Sequence, residues 1–207
     1  MTLTFGYTCL RMAHPDHVNL VRRFAAGERS RRLEQLDLSG ADLNGLDLSG
    51  TRLRDTDLSG AILRNCRLVG ASMPGANFSE ADLSGADLHG VIAAGAIFNR
   101  ATLVGASLRS ADLYGADLRQ ANLKRADLTQ ADLSLAQAIQ ADFSHARLTR
   151  AILFGADLRQ ADLRYTDLEK AENVGSAKFD QARLPTGYQP LGRSRRSRFA
   201  RGFFGKK

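Results

Sequence analysis

Tryptophan is absent from this 207-residue chain, which has two cysteines, four prolines and four histidines. Each scarcity excludes something. With Cys9 and Cys66 alone there is no disulfide framework, which suits a reducing compartment. The histidines are His14, His17, His89 and His145. The first two flank a helix start without a third ligand, so no metal site is expected. No apolar run approaches about eighteen residues, so no membrane-spanning helix is expected. Met1 to Arg11 lack the basic start and unbroken apolar stretch of an export signal. The cytoplasm is therefore the expected location, and Met12 is a second candidate start because an ordered element begins just after it. A Gly-rich phosphate loop ending in Lys-Ser/Thr and a G-x-S-x-G elbow are both missing. The chain reads as no enzyme, with no cofactor and no small-molecule substrate.

What is present is a repeat. From Ala111 to Leu133 the sequence is ADLYG ADLRQ ANLKR ADLTQ ADL, and the same register holds from Leu38 to Leu168. A period of five fits neither regular element. On a helix each step of five advances about 500°, so the leucines never build one face. On a continuous strand an odd step alternates faces. The pattern is consistent only if the chain turns a corner once per repeat. Ala and Leu, two apart, then point inward, and the Asp between them points outward. The last two residues turn the corner, with glycines such as Gly40 and Gly50 free to take positive φ.

The unit A(D/N)LXX resembles the pentapeptide-repeat family, over about three quarters of the chain. The resemblance implies an all-β fold, a right-handed quadrilateral parallel β-helix in which four pentapeptides make one coil. Neighbouring coils would lie about 4.8 Å apart. Residues 36–185 then hold about thirty units, roughly seven and a half coils in a rod of about 35 Å.

Three regions follow. Residues 1–35 form a leader whose HPDHVNLVRRFAAGE reads as a capping helix. Asp16 is the expected N-cap, Leu20, Val21 and Phe24 the apolar face, and Gly27 the end. Such a helix would cover the open first coil, since a bare ladder edge invites aggregation. Residues 36–185 are the solenoid. Its central Leu is replaced by Met73, Ala93 and Ala138, each followed five residues later by Phe78, Phe98 or Phe143. The rings are expected to fill the volume that the smaller centres leave. Cys66 takes an inward Ala place and reads as a buried thiol. Asn173 is a polar centre whose burial unpaired would cost roughly 1–3 kcal/mol, so the register is expected to break over 171–176. Pro185 is expected to end the ladder by removing a donor. Residues 186–207 form a basic tail that reads as disordered. Its seven basic residues and no acid equal the whole formal charge of +7.

Stacking every twentieth residue puts Asp37 below Asp57, Asp112 below Asp132 and Asp142 below Asp162. These aspartates are expected to accept backbone hydrogen bonds near the corners, not to bind cations. Two features point outward. One is an apolar stripe on one wall: Pro74, Ala94, Tyr114 and Phe154 in one column, Ile92 and Ile152 in the next, and Leu135 at the corner. The other is the tail, where Arg193, Arg195, Arg196, Arg198, Arg201, Lys206 and Lys207 alternate with Phe199, Phe203 and Phe204. That mixture suits phosphate contacts with base stacking, or an anionic membrane surface.

The functional expectation is a non-catalytic scaffold whose wall binds another protein and whose basic tail is a tether. Nucleic-acid or anionic-membrane binding through the tail is the alternative, and a homodimer is compatible with either. A branch of the family mimics DNA and protects gyrase from quinolones. The balanced charge of residues 1–185 and a basic tail where that branch dimerises both count against it.

Overall fold

The structure, a computed structural model, describes residues 14–25 and 33–189. The repeat builds a coil with four faces. Each outward residue forms a single parallel bridge to the residue twenty further on, as in Asp37 to Asp57, Asp42 to Ile62, Asp47 to Arg67 and Arg52 to Ser72. We name the four faces, in chain order, after Asp37, Asp42, Asp47 and Arg52. The all-β expectation needs one correction. Among the described residues there is no extended strand, because each face contributes one bridging residue before the chain turns.

Every bridge has the same chemistry. The central residue donates its N–H to the coil above (Leu38 to Asp57 O, 2.7 Å), and the outward residue donates to the coil below (Asp57 to Leu36 O, 2.9 Å). The two inward positions of each repeat make one continuous core, in which Leu103, Ala106 and their equivalents are buried. Each buried Leu contributes roughly 1.5–3 kcal/mol of transfer free energy. Phe78, Phe98 and Phe143 lie in this core as expected, and the Phe78 and Phe98 rings stack at 5.0 Å. Cys66 is buried too. Its Sγ donates to the Leu43 carbonyl, and burial pushes the thiol above its ordinary pKa. Inward hydroxyls solve the same problem: Thr56 Oγ1 donates to Leu33 O at 2.6 Å.

From Gln35 to Tyr165 the corner residue is left-handed at every fifth position, whether or not it is glycine. Gly105 has φ 67°, and Arg125, its equivalent one coil on, has φ 59°. A side chain in this region costs roughly 1–2 kcal/mol. Arg125 is exposed. Arg125→Gly should therefore raise stability by about 0.5–1 kcal/mol, the relief of strain less the glycine entropy. Urea unfolding checks the sign.

Helix α1 (Pro15–Ala25) closes the lower end. Asp16 is not its N-cap. The His14 carbonyl already accepts from the Val18 N–H, so Pro15 takes the first helical position and Asp16 lies in the first turn. Val21 is buried, and Val18 and Leu20 pack against the core. The Phe24 side chain and Gly27 lie outside the described residues. The helix also completes the ladder. His14 N–H donates to the Asp37 carbonyl at 3.2 Å, and Asp37 N–H donates to His17 Nδ1 at 3.0 Å. An imidazole thus takes the place of a missing coil.

The upper end slips in two steps. Asp167 lacks the bridge that Arg147 would make, and residues Leu168–Lys170 form a short 3-10 turn. A second turn, Val174–Ser176, follows Asn173, which is left-handed and exposed. Val174 packs against the core instead, and bridges resume one residue late, Asp157 with Lys178 and Asp162 with Arg183. The expected break is there. The expected role of Pro185 is not: it follows Leu184 as Pro74 follows Met73, and Pro74 sits inside an unbroken ladder. That position's N–H does not enter the ladder, so proline removes nothing from it.

Candidate interaction face

The outward aspartates are structural. Asp112 Oδ1 accepts from Tyr114 N–H at 3.0 Å, and Asp117, Asp142 and their equivalents repeat this turn two residues on. The carboxylate thereby satisfies the one corner N–H that the ladder leaves over. Several are also neutralised. Arg119, Arg159 and Arg164 fold back on Asp117, Asp157 and Asp162 with N–O distances of 2.6–2.7 Å. The guanidinium hydrogen bonds hold the Asp157 and Asp162 carboxyls below the usual carboxylate range. These three pairs lie on two faces, Asp117 and Asp157 on the Asp37 face and Asp162 on the Asp42 face.

On the Arg52 face the structure brings the apolar stripe together in part. Ile92 and Tyr114 are each 50% exposed, Leu135 45% and Phe154 54%. Pro74, Ala94 and Ile152 lie on the same face but are half-buried. The columns are interrupted: bridges run Ile92–Asp112–Asp132–Ile152, and buried Ser134 stands between Tyr114 and Phe154. Leu135 is pressed upward, so that a Cβ at Gly155 would lie 2.7 Å from its Cδ2. This leaves apolar groups around two carboxylates. Neither Asp112 nor Asp132 makes an ion pair with a described residue, although their rungs are adjacent. The tail residues from Arg193 to Lys207 lie outside the described residues.

Two surface features escaped the sequence pattern. Tyr165, at 68% exposure the most exposed large apolar residue among the described residues, stacks on His145 at 4.6 Å, on a corner of the Asp42 face. On another corner, Arg100 bonds Gln120, and an amide ladder continues from Gln120 to Gln140, Gln160 and Gln181. The twenty-residue spacing of Gln120, Gln140 and Gln160 was the available signal, and Gln181 joins them across the one-residue slip. Among the described residues there is no group of three or more His, Cys, Asp or Glu placed to hold a metal. No helix there is long and apolar enough to cross a membrane.

The pentapeptide-repeat family model matches overlapping segments that together run from residue 32 to 172. The chain belongs to the pentapeptide-repeat family, whose fold is a quadrilateral β-helix. It is similar to HetL from the cyanobacterium Nostoc sp., described as involved in heterocyst differentiation regulation. That match has 30% identity over 80% of this chain and 91% of HetL, with a TM-score of 0.50. A trypsin-treated variant of QnrB1, a plasmid-mediated fluoroquinolone resistance protein, matches at 20% identity over 74% of this chain and 87% of that one, with a TM-score of 0.61. This second likeness is one of fold. No curated protein matches the sequence.

Proposed function

We propose that the protein is a non-catalytic scaffold whose Arg52 face binds another protein, with the basic tail as a tether. The observation that carries this is the gathering of Ile92, Tyr114, Leu135 and Phe154 on one face of a rod whose other faces are mostly polar. A rigid core supports them, so little ordering entropy opposes binding there. Aromatic anchors such as Tyr114 and Phe154 are the residue types that dominate binding hot spots. The near balance of charge over the repeats, sixteen basic residues against nineteen acids in 36–185, supports a scaffold over a DNA mimic.

The test is capture from nuclease-treated native lysate with three full-length proteins: wild type, Tyr114→Ser/Phe154→Ser, and a variant with Arg193, Arg195, Arg196 and Arg198 changed to Ser. One partner should be kept by the tail variant and reduced at least tenfold by the face variant. Undiminished capture by the face variant would sink the reading. Loss with the tail variant alone would move the function to a polyanion or an anionic membrane.

A further inference from the structure

We infer that in the free protein the Arg52 face is occupied by the chain's own C-terminal segment, residues 190–207. This rests on the reading of that face as a docking surface and names what covers it before a partner arrives.

Three observations lead to it. The first is chemical. The face offers exposed Tyr114, on the rung of Asp112, and exposed Phe154, one rung above Asp132, beside these two half-buried carboxylates on adjacent rungs. Elsewhere the outward acids Asp82, Asp117, Asp127, Asp157 and Asp162 each hold an arginine, while Asp42, Asp87 and Asp142 stand singly without one, no two of them on adjacent rungs. Asp112 and Asp132 hold no described Lys or Arg, and like charges side by side favour an incoming cation. A ligand for this face needs cationic groups beside aromatic ones. The sequence RSRRSRFARGFFGKK supplies that alternation, and it contains no acid.

The second is where the chain leaves the rod. The chain visits the faces in the order Asp37, Asp42, Asp47, Arg52. Its last bridge, at Arg183, is on the Asp42 face. Tyr188, which packs against the core, follows on the way to the Asp47 face, and the face after that is Arg52. The segment therefore starts beside the upper end of the apolar face. Glu172 tops that face, one coil above Ile152.

The third is length. Ten residues separate Gln189 from Phe199, enough for about 33 Å of extended chain. Tyr114 lies three coils below the top rung, roughly 15 Å at the ladder spacing. A short tether also holds the segment at an effective concentration on the order of millimolar, so modest complementarity suffices for occupancy. A partner of the scaffold would then compete with the tail for the face.

The experiment compares amide and side-chain NMR spectra of the full-length protein with those of full-length Phe199→Ser/Phe203→Ser/Phe204→Ser. The tail substitutions leave the solenoid core untouched. The inference requires shift differences at 92–95, 112–115, 132–135 and 152–155, unchanged on tenfold dilution. It also requires that Asp112→Asn/Asp132→Asn displace the resonances of 92–95 and 152–155, away from the substituted rungs, in the same way. Identical face resonances in wild type and tail variant would overturn it, as would differences confined to the top coil. Differences that vanish on dilution would also overturn it, by assigning the face to the tail of a second copy. Failure here with partner capture intact leaves the scaffold reading standing. Failure of capture with the shifts present removes the scaffold reading alone.

Discussion

Phe98→Ala lowers the unfolding free energy by about 3–5 kcal/mol, the range for deleting a buried aromatic side chain from a packed core. Phe98 is fully buried and stacked on Phe78, with ring planes 6° apart. Its backbone is held by a 2.7 Å bond from its N–H to Asp117 O and does not depend on the ring. The cost is therefore one of volume. The preceding centre, Ala93, is small, so a second alanine leaves that coil with two undersized centres and a cavity that the rigid ladder cannot close. Restoring the common pattern should repair most of the damage. Ala93→Leu/Phe98→Leu is expected to lie within about 1.5 kcal/mol of wild type, as for volume-conserving swaps. Urea unfolding of the three proteins decides it. A Phe98→Ala cost under about 1 kcal/mol would mean that the ring does not fill the coil.

This pairing of Ala93 with Phe98 shows why so much of the fold is legible in the sequence. A five-residue unit with two inward positions leaves each side chain one environment, so a departure at one centre is answered at the next. The register of the faces, the buried Cys66 and the turn role of the aspartates follow from the same periodicity. Legibility ends where the period ends. At α1, Asp16 matched the residue type of an N-cap, but Pro15 takes the first helical position instead. The bond from Asp37 N–H to His17 Nδ1 joins a helix to a coil across a non-repeating segment, and no local pattern announces it. The same holds for Pro185, where a general rule about proline met a position whose N–H the ladder never uses. The stripe on the Arg52 face was legible as positions. Its interruption by Asp112, Asp132 and Ser134 acquires meaning only once the missing ion pairs are seen.

The upper end gives the second large effect: Asp167→Ala costs about 2–3 kcal/mol, from charged hydrogen bonds lost and a buried donor left unpaired. In a regular coil Leu148 N–H would donate to the carbonyl of residue 167. That carbonyl instead accepts from Lys170 N–H at 2.9 Å and holds the 3-10 turn. The Asp167 carboxylate takes its place, Oδ1 accepting from Leu148 N–H and Oδ2 from Thr149 Oγ1. Leu148 is almost fully buried, so water cannot replace the lost acceptor. Burial alone would raise the Asp167 pKa. The hydrogen bonds from Thr149 and Leu148 outweigh it, with help from the Lys170 charge, and the carboxyl ends below its ordinary value. A lowered folded-state pKa contributes stability above the unfolded carboxylate value of about 4, and that contribution is lost as pH falls through the folded value. Asp167→Asn keeps one acceptor and no charge, so it should be intermediate at pH 7. Its deficit against wild type should narrow as pH falls from about 4 toward the folded value, because the other aspartates are common to both proteins. Equal stability of Asp167→Ala and wild type at pH 7 would show that the exchange of carboxylate for carbonyl carries no weight. A deficit of Asp167→Asn that stays constant in acid would show that its charge carries none.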